Sequence, residues 1–161
     1  MSKTYIGIDN GVTGTYAILS EQEKAFGKIP VKKEQDYTKA KKTITRLDYG
    51  TLKAILEPYK GAEVLVVMER PMVNPTRFLA TAVALRCHEA ELILIEELGL
   101  PLRYIDSKEW QREILPRGTE KDELKSMSLQ IGNRLYPIFN DVNHSDRDSL
   151  LIAEYARLKN W

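Results

Sequence analysis

The chain has one cysteine, Cys87, and two histidines, His88 and His144. A lone thiol excludes an internal disulfide and a cysteine-rich zinc site. Cys87 falls between Arg86 and His88 in a helical pattern, which suits packing better than thiol chemistry. His88 has no metal-type cluster around it and reads as structural or exposed. No apolar run reaches about 18 residues, so no membrane span is expected. Met1-Ser2-Lys3-Thr4 leads straight into a strand-like segment, so no targeting peptide is expected either, and the chain reads as soluble and intracellular. Net charge is also scant: 24 Lys+Arg against 23 Asp+Glu leave +1. That balance argues against a small histone-like binder that holds nucleic acid by bulk charge. What is present is 161 residues, 43% hydrophobic and 29% charged, which excludes a disordered tail or a collagen. The length suits a single domain over residues 1–161 with a sizeable core.

Residues 4–9 form a β-branched and aromatic run that stops at the turn signal Asn10-Gly11. Residues 15–19 and 23–30 predict two more strands, and the tight turns between the three imply an antiparallel meander. Leu47, Leu52, Ile55 and Leu56 recur at helical spacing over 47–59, closed by Pro58 and Gly61. Residues 62–69 are an apolar run typical of a buried central strand. A long helix is expected over 75–98, opened at Asn74-Pro75-Thr76 and closed by Gly99. A fifth strand at 102–105 and helices from Asp106 or Ser107 to 115, over 119–136 and over 145–159 complete the chain. The order β-β-β-α-β-α-β-α-α-α predicts an α/β fold: a mixed five-stranded sheet, the meander joined to two parallel strands, with helices on both faces. Along this order the charge is segregated. Residues 24–46 carry eight cations against Glu34 and Asp36, an excess of six that leaves the rest at −5.

Four acids stand where strand ends or a helix start would bring them together. Asp9 ends the first strand, Glu69 ends the fourth, and Asp146 and Asp148 begin the last helix. Ligand sites of open α/β sheets gather beyond the carboxyl ends of strands. Carboxylates held this close raise one another's pKa unless a cation lies between them. Mg²⁺ prefers carboxylate and water oxygens and keeps open positions for phosphate. Two such ions can clamp both oxygens of an in-line phosphodiester displacement, with no Ser, Cys or His nucleophile required. Plainer readings exist for each acid. Asp9 could only shape the Asn10-Gly11 turn, Glu69 could pair with Arg70 or another base, and Ser145 with Asp148 could form a capping pattern. Singly these are at least as good; together, the placement on strand ends favours a metal site.

Three motifs resemble the RuvC-type Holliday-junction resolvases of the RNase H-like superfamily, most of all their short phage-encoded members. Ile6-Gly7-Ile8-Asp9-Asn10-Gly11-Val12-Thr13-Gly14 is similar to the family's first-strand motif, and Val66-Val67-Met68-Glu69-Arg70-Pro71 to its fourth-strand motif. Asp148-Ser149-Leu150-Leu151-Ile152-Ala153-Glu154-Tyr155 resembles its last helix, with a weaker match through Trp110, Lys125, Ser128 and Leu135-Tyr136-Pro137. The resemblance implies an RNase H-like fold and a crossover junction endodeoxyribonuclease using two Mg²⁺, for which Mn²⁺ can substitute. It also implies a homodimer that nicks branched DNA symmetrically, in the cytoplasm of a bacterium or of a phage's host. Asp9, Glu69, Asp146 and Asp148 would be the catalytic metal ligands. The last motif departs from the family, which places its second acid three or four residues before the helix Asp. Here those positions hold Ser145 and His144, and the extra acid, Asp146, lies only two residues before Asp148. Residues two apart do not share a helix face, so either Asp146 swings in from a loop or His144 takes part.

DNA contacts are expected from Lys32, Lys33, Lys41 and Lys42 and from Arg112, Arg117, Lys121 and Lys125, with Tyr37 or Phe26 able to stack on opened bases. A charge run is also commonly a solvated face. The long apolar helix over 75–98 should be buried on more than one side, by core packing or by a dimer partner. Three rival readings stay in view: an actin-like phosphotransferase, which this length does not fit; a non-cutting junction-binding module; and a related metal nuclease acting on RNA/DNA hybrids, flaps or forks.

Overall fold

The computed structural model describes residues 3–161, so the targeting-peptide expectation at Met1 and Ser2 lies outside the described residues. Three strands, β1 (Thr4–Ile8), β2 (Thr15–Leu19) and β3 (Lys24–Lys28), form the expected antiparallel meander. A second pair, β4 (Val31–Gln35) and β5 (Thr43–Leu47), makes a separate two-stranded hairpin that the sequence reading did not contain. Helix α1 (Tyr49–Leu56) and a short 3₁₀ turn lead into β6 (Val64–Glu69), the buried run. Helix α2 (Phe78–Leu98), strand β7 (Leu102–Ile105) and helices α3 (Ser107–Ile114), α4 (Leu124–Leu135) and α5 (Asp148–Leu158) follow. The main sheet runs β3-β2-β1-β6-β7, with β1, β6 and β7 parallel. The mixed five-stranded sheet is therefore as expected.

Alternation along β1 divides the core. Ile6 and Ile8 point to the side covered by α1 and α2, where they join Leu52, Leu56, Leu94 and Ile95. Tyr5 points to the other side, with Trp110 of α3, Ile131 of α4 and Leu150 to Ala153 of α5. Helix α5 is buried from Ser149 through Ala156, the most enclosed helix of the chain's described residues. It crosses β1 at Gly7, where a Cβ would meet the Ser149 carbonyl oxygen at 2.1 Å. Only a residue with no side chain permits that approach, and it sets the start of α5 directly over the end of β1.

Three helices begin later than their sequence patterns suggest, each for a local reason. Before α2, Asn74 accepts from the Thr76 backbone N–H at 3.1 Å and Arg77 donates to the Asn74 carbonyl at 3.0 Å, so 74–77 close as a turn. Before α4, Gly118 takes a φ of 82° and Glu123 donates to Glu120 at 3.0 Å, again a turn. Before α5, residues 139–147 wrap around one arginine, described below. The long helix also differs from expectation in burial. Cys87, Glu91, Leu94, Ile95 and Leu98 are buried, but Phe78 and Leu79 are 74% and 78% exposed and Leu85 and Ile93 are exposed too, so one side of the helix is largely uncovered among the described residues. No helix among the described residues is long and apolar enough to cross a membrane.

Candidate metal centre

Parallel pairing of β1 with β6 ends both strands at one level, Ile8 opposite Met68, so Asp9 and Glu69 leave the sheet side by side. Helix α5, seated on Gly7, opens at Asp148 just above them. Asp9, Asp146 and Asp148 bring one carboxylate oxygen each within 4.8 Å of one another. Glu69 stands outside that trio but acts on it electrically: its charge helps raise Asp9, and Asp148 and Asp146 help raise Glu69.

The two-residue spacing of Asp146 and Asp148 is accommodated because only Asp148 is helical. Asp146 stays in the loop, and its Oδ1 accepts the Asp148 backbone N–H at 3.2 Å. That bond caps the first turn of α5 and turns the Asp146 carboxylate back toward Asp148. The loop is wound on Arg147, which is 1% exposed. Its Nε donates to Asn133 Oδ1 at 3.0 Å; its Nη1 donates to the Asp146 and His144 carbonyls; its Nη2 donates to those of Val142 and Phe139. All five guanidinium protons are thereby used. Gly132 of α4 makes room, since a Cβ there would lie 2.4 Å from the Arg147 Cβ. Ser128 completes the frame: its hydroxyl accepts the Arg147 backbone N–H at 3.1 Å and donates to Asp148 Oδ1 at 2.5 Å.

His144 is a strap. Its Nε2 lies 2.9 Å from the Thr13 carbonyl and its Nδ1 accepts the Asp146 N–H at 3.3 Å, which ties the β1–β2 turn to the acid loop. Both ring nitrogens lie against backbone, and Nδ1 also lies 3.5 Å from Asp146 Oδ1, so the ring stands beside the acids while Asp146 is the residue whose carboxylate meets those of Asp9 and Asp148. Glu69 accepts a hydrogen bond from the Ser107 hydroxyl at the start of α3. The buried indole N–H of Trp110 reaches no partner in good geometry, yet it stands close enough to hold the Glu69 carboxyl down in part. The plainer readings of these acids do not hold. Arg70 pairs with Asp106 at 2.7 Å instead of Glu69, Ser145 does not cap α5, and the Asp9 carboxylate takes no hydrogen bond from its turn among the described residues.

Burial and mutual repulsion show in the acidities. Desolvation first, then the charges of Asp148, Glu69 and Asp146, push Asp9 well above the ordinary carboxylate range. Desolvation and then Asp148 raise Glu69 to about 7, and desolvation and then Asp146 raise Asp148 to about 6, against the Ser128 hydrogen bond. Lys125 reaches the trio from solvent, its Nζ 3.9 Å from Asp146 Oδ2 while the side chain stays 73% exposed, and the His144 ring is the other basic group beside it, Nδ1 3.5 Å from Asp146 Oδ1. Oxygen donors only, converging, buried and short of positive charge, fit a hard divalent cation.

The remaining predicted contacts fall in two places. Lys32, Lys33, Lys41 and Lys42 lie on the β4–β5 hairpin, away from the acids in the chain but all exposed. Arg112 and Arg117 line a groove at the end of α3, and Lys121 is exposed in the turn before α4. Phe26 is buried under the Arg147 guanidinium, which excludes it as a base-stacking residue, whereas Tyr37 is 88% exposed. Sequence reasoning missed the roles of Arg147 and Ser107. A buried arginine is invisible as such in sequence; the only hint was its place between two acids.

No family model matches the sequence, and no curated protein matches it. Among solved structures, RuvC of Thermus thermophilus in complex with a Holliday junction substrate is similar, with a TM-score of 0.61 and 17% identity over 98% of this chain and 94% of that one. A second Thermus thermophilus RuvC structure matches with a TM-score of 0.53 and 13% identity, covering 98% and 96%. The fold of this chain is the RuvC fold, over its whole described length.

Proposed function

We propose that the chain is a structure-selective endodeoxyribonuclease that resolves four-way DNA junctions by symmetric nicking. The observation that carries this is the meeting of Asp9, Asp146 and Asp148 beside Glu69 at the ends of two parallel strands of a RuvC fold. Asp9, Glu69, Asp146 and Asp148 would hold two Mg²⁺, or Mn²⁺ in their place. Bound there, the ions supply a water nucleophile at neutral pH and charge for the phosphoryl oxygens.

The protein's own contribution is position. The Gly7 contact and the Arg147 frame fix where two of the acids stand. Ser107 and Ser128 each donate to one oxygen, of Glu69 and of Asp148. Lys125, anchored electrostatically at Asp146 but mostly exposed, is placed to meet a phosphate entering from solvent.

Symmetric nicking calls for two sites related by a two-fold axis. On α2, Phe78, Leu85 and Leu92 recur every seven residues, the first two exposed and the third half-buried, the spacing of a helix–helix seam. We assign the homodimer contact to this stripe. The test is a synthetic four-way junction incubated with Mg²⁺ and without it. Paired nicks across the junction, little cutting of linear duplex and no cutting without metal are the expected results. Equal cleavage of linear duplex or RNA/DNA hybrid would remove the resolvase reading and leave a metal nuclease. Normal cleavage by Asp9→Asn or Glu69→Gln would remove the metal site itself.

A further inference from the structure

The β4–β5 hairpin is not required by the sheet or by the acid cluster. It pairs only with itself, and most of its residues are exposed. Between residues 31 and 47 it carries Lys32, Lys33, Lys39, Lys41, Lys42 and Arg46 against two acids. Both acids are engaged: Glu34 bridges Lys32 at 2.9 Å and Arg46 at 2.7 Å, and Asp36 accepts the Thr38 N–H and hydroxyl at 3.0 and 2.7 Å. Lys33, Lys39, Lys41 and Lys42 form no ion pair among the described residues.

The tip is built rather than loose. Asp36 donates its N–H to the Lys42 carbonyl at 2.7 Å, Lys41 donates to Thr38 at 3.0 Å, and Lys41 itself takes a left-handed φ of 49°. This turn presents Tyr37, 88% exposed, at its end. Behind Tyr37 lies a groove of about 510 Å³ whose walls include Thr38 and Lys42 from the tip, Leu79 and Arg86 from α2, and Val12. Val12 belongs to the β1–β2 turn that follows Asp9 in the chain, so the groove is bounded at one end by the hairpin tip and at another by that turn. Lysines alone on an open strand edge guard against aggregation. That role does not explain an aromatic ring held out on a tied turn, or an apolar groove flanked by cations.

An aromatic platform among unpaired cations is the surface that takes nucleic acid whose bases are unstacked: the ring meets a base face, and the cations follow the backbone on either side. Intact duplex offers only the second contact. We propose that this hairpin is a branch-point reader: Tyr37 stacks on a base unpaired at the junction, and Lys39, Lys41 and Lys42 hold the flanking phosphates. The inference rests on the nuclease reading above and adds the element that separates branched from linear DNA. Because the tip is already ordered, little further ordering opposes binding.

The test is binding without cutting, in EDTA, of a fluorescent four-way junction and of a linear duplex of the same length. Tyr37→Ala should weaken junction binding by about tenfold or more and leave duplex binding unchanged. Tyr37→Phe and Tyr37→Trp should keep junction affinity, since the ring face and not the hydroxyl is the contact. Replacing Lys39, Lys41 and Lys42 together by Gln should weaken both DNAs and lower the slope of log affinity against log salt by about 2 to 3. Wild-type junction affinity in Tyr37→Ala overturns the proposal. So does a shift of Tyr37→Ala from dimer to monomer in light scattering, which would make the hairpin a contact between protein chains. A wild-type chain that binds junctions but ignores these variants removes this inference alone. One that binds no branched DNA removes the nuclease reading with it.

Discussion

At the scale of single residues, the centre depends on a side chain that never faces it. Arg147 donates to four backbone carbonyls of a nine-residue loop, and two of them, those of His144 and Asp146, take no backbone N–H among the described residues. Each such group left without a partner costs about 1–3 kcal/mol. Arg147→Met should therefore lose roughly 3–5 kcal/mol of stability, in line with breaking a buried charged network, and urea unfolding would read it. Gly132→Ala should produce a smaller loss of the same kind, because its Cβ would displace the arginine stem. If either variant kept wild-type stability and full Mn²⁺ affinity by calorimetry, the loop would owe nothing to this frame. A second residue-scale prediction concerns Glu91 on α2, fully buried, with one oxygen near the Cys87 thiol at 3.6 Å and the other unpartnered. Burial raises its pKa to about 8. The protonated form is thus favoured in the fold, so its contribution is intact below about pH 4.5. That contribution falls as the unfolded chain ionises and levels off near pH 8, where the folded carboxyl ionises too. Glu91→Gln should remove this slope: equal stability to wild type near pH 4.5, and greater stability at pH 8 by a few kcal/mol in order of magnitude. A Gln variant whose stability tracks wild type across that range would contradict it.

At the scale of elements, α2 is the helix that leaves large apolar side chains exposed, Phe78, Leu79, Leu85 and Ile93. Its stripe of Phe78, Leu85 and Leu92 predicts that Leu85→Glu yields a monomer in light scattering with an unchanged circular dichroism spectrum. Junction binding should then fall and paired nicking turn into single nicks. A Leu85→Glu chain that stays dimeric would move the seam elsewhere. The same helix shows where reading from sequence reaches its limit. Apolar spacing located it, because period and composition are local properties. Which side a neighbour covers is not local, and the pattern could not say that its first half stands free. The β4–β5 hairpin was hidden for another reason. Strand β4, Val31-Lys32-Lys33-Glu34-Gln35, is exposed on both faces and shows no alternation; only Thr43-Ile44-Thr45 in β5 carries a strand signature. The acids were legible because each ends an element whose period is clear. That Asp146 reaches the site from a loop was legible only as one of two alternatives, since the loop's path depends on five hydrogen bonds that Arg147 donates to three stretches of chain.

At the scale of the whole molecule, a near-zero total charge conceals two poles, a basic hairpin and an acidic centre that repels itself. Three carboxylates within 4.8 Å, with Glu69 beside them and only Lys125 and the His144 ring against them among the described residues, repel one another at a cost to the fold. A cation held there would relieve that repulsion in the folded chain alone and so stabilise it by mass action, about 2.7 kcal/mol at a hundredfold excess over its dissociation constant. Mg²⁺ or Mn²⁺ should therefore raise Tm by several degrees at pH 8. Asp9 offers the cleanest control, because its carboxylate takes no hydrogen bond that Asn would lose. Without metal, Asp9→Asn should melt above wild type, by about 1 kcal/mol or more, since one repelling charge is gone. With metal it should gain less than wild type, and the two melting curves should approach or cross. Calcium, a hard cation of the same charge, should reproduce the stabilisation whether or not it supports cutting, which separates relief of charge from chemistry. Were Asp9→Asn less stable than wild type without metal, the acid cluster would be a structural network and not a vacancy-prone cation site. The hairpin would then be a basic arm on a protein with no reason to cut.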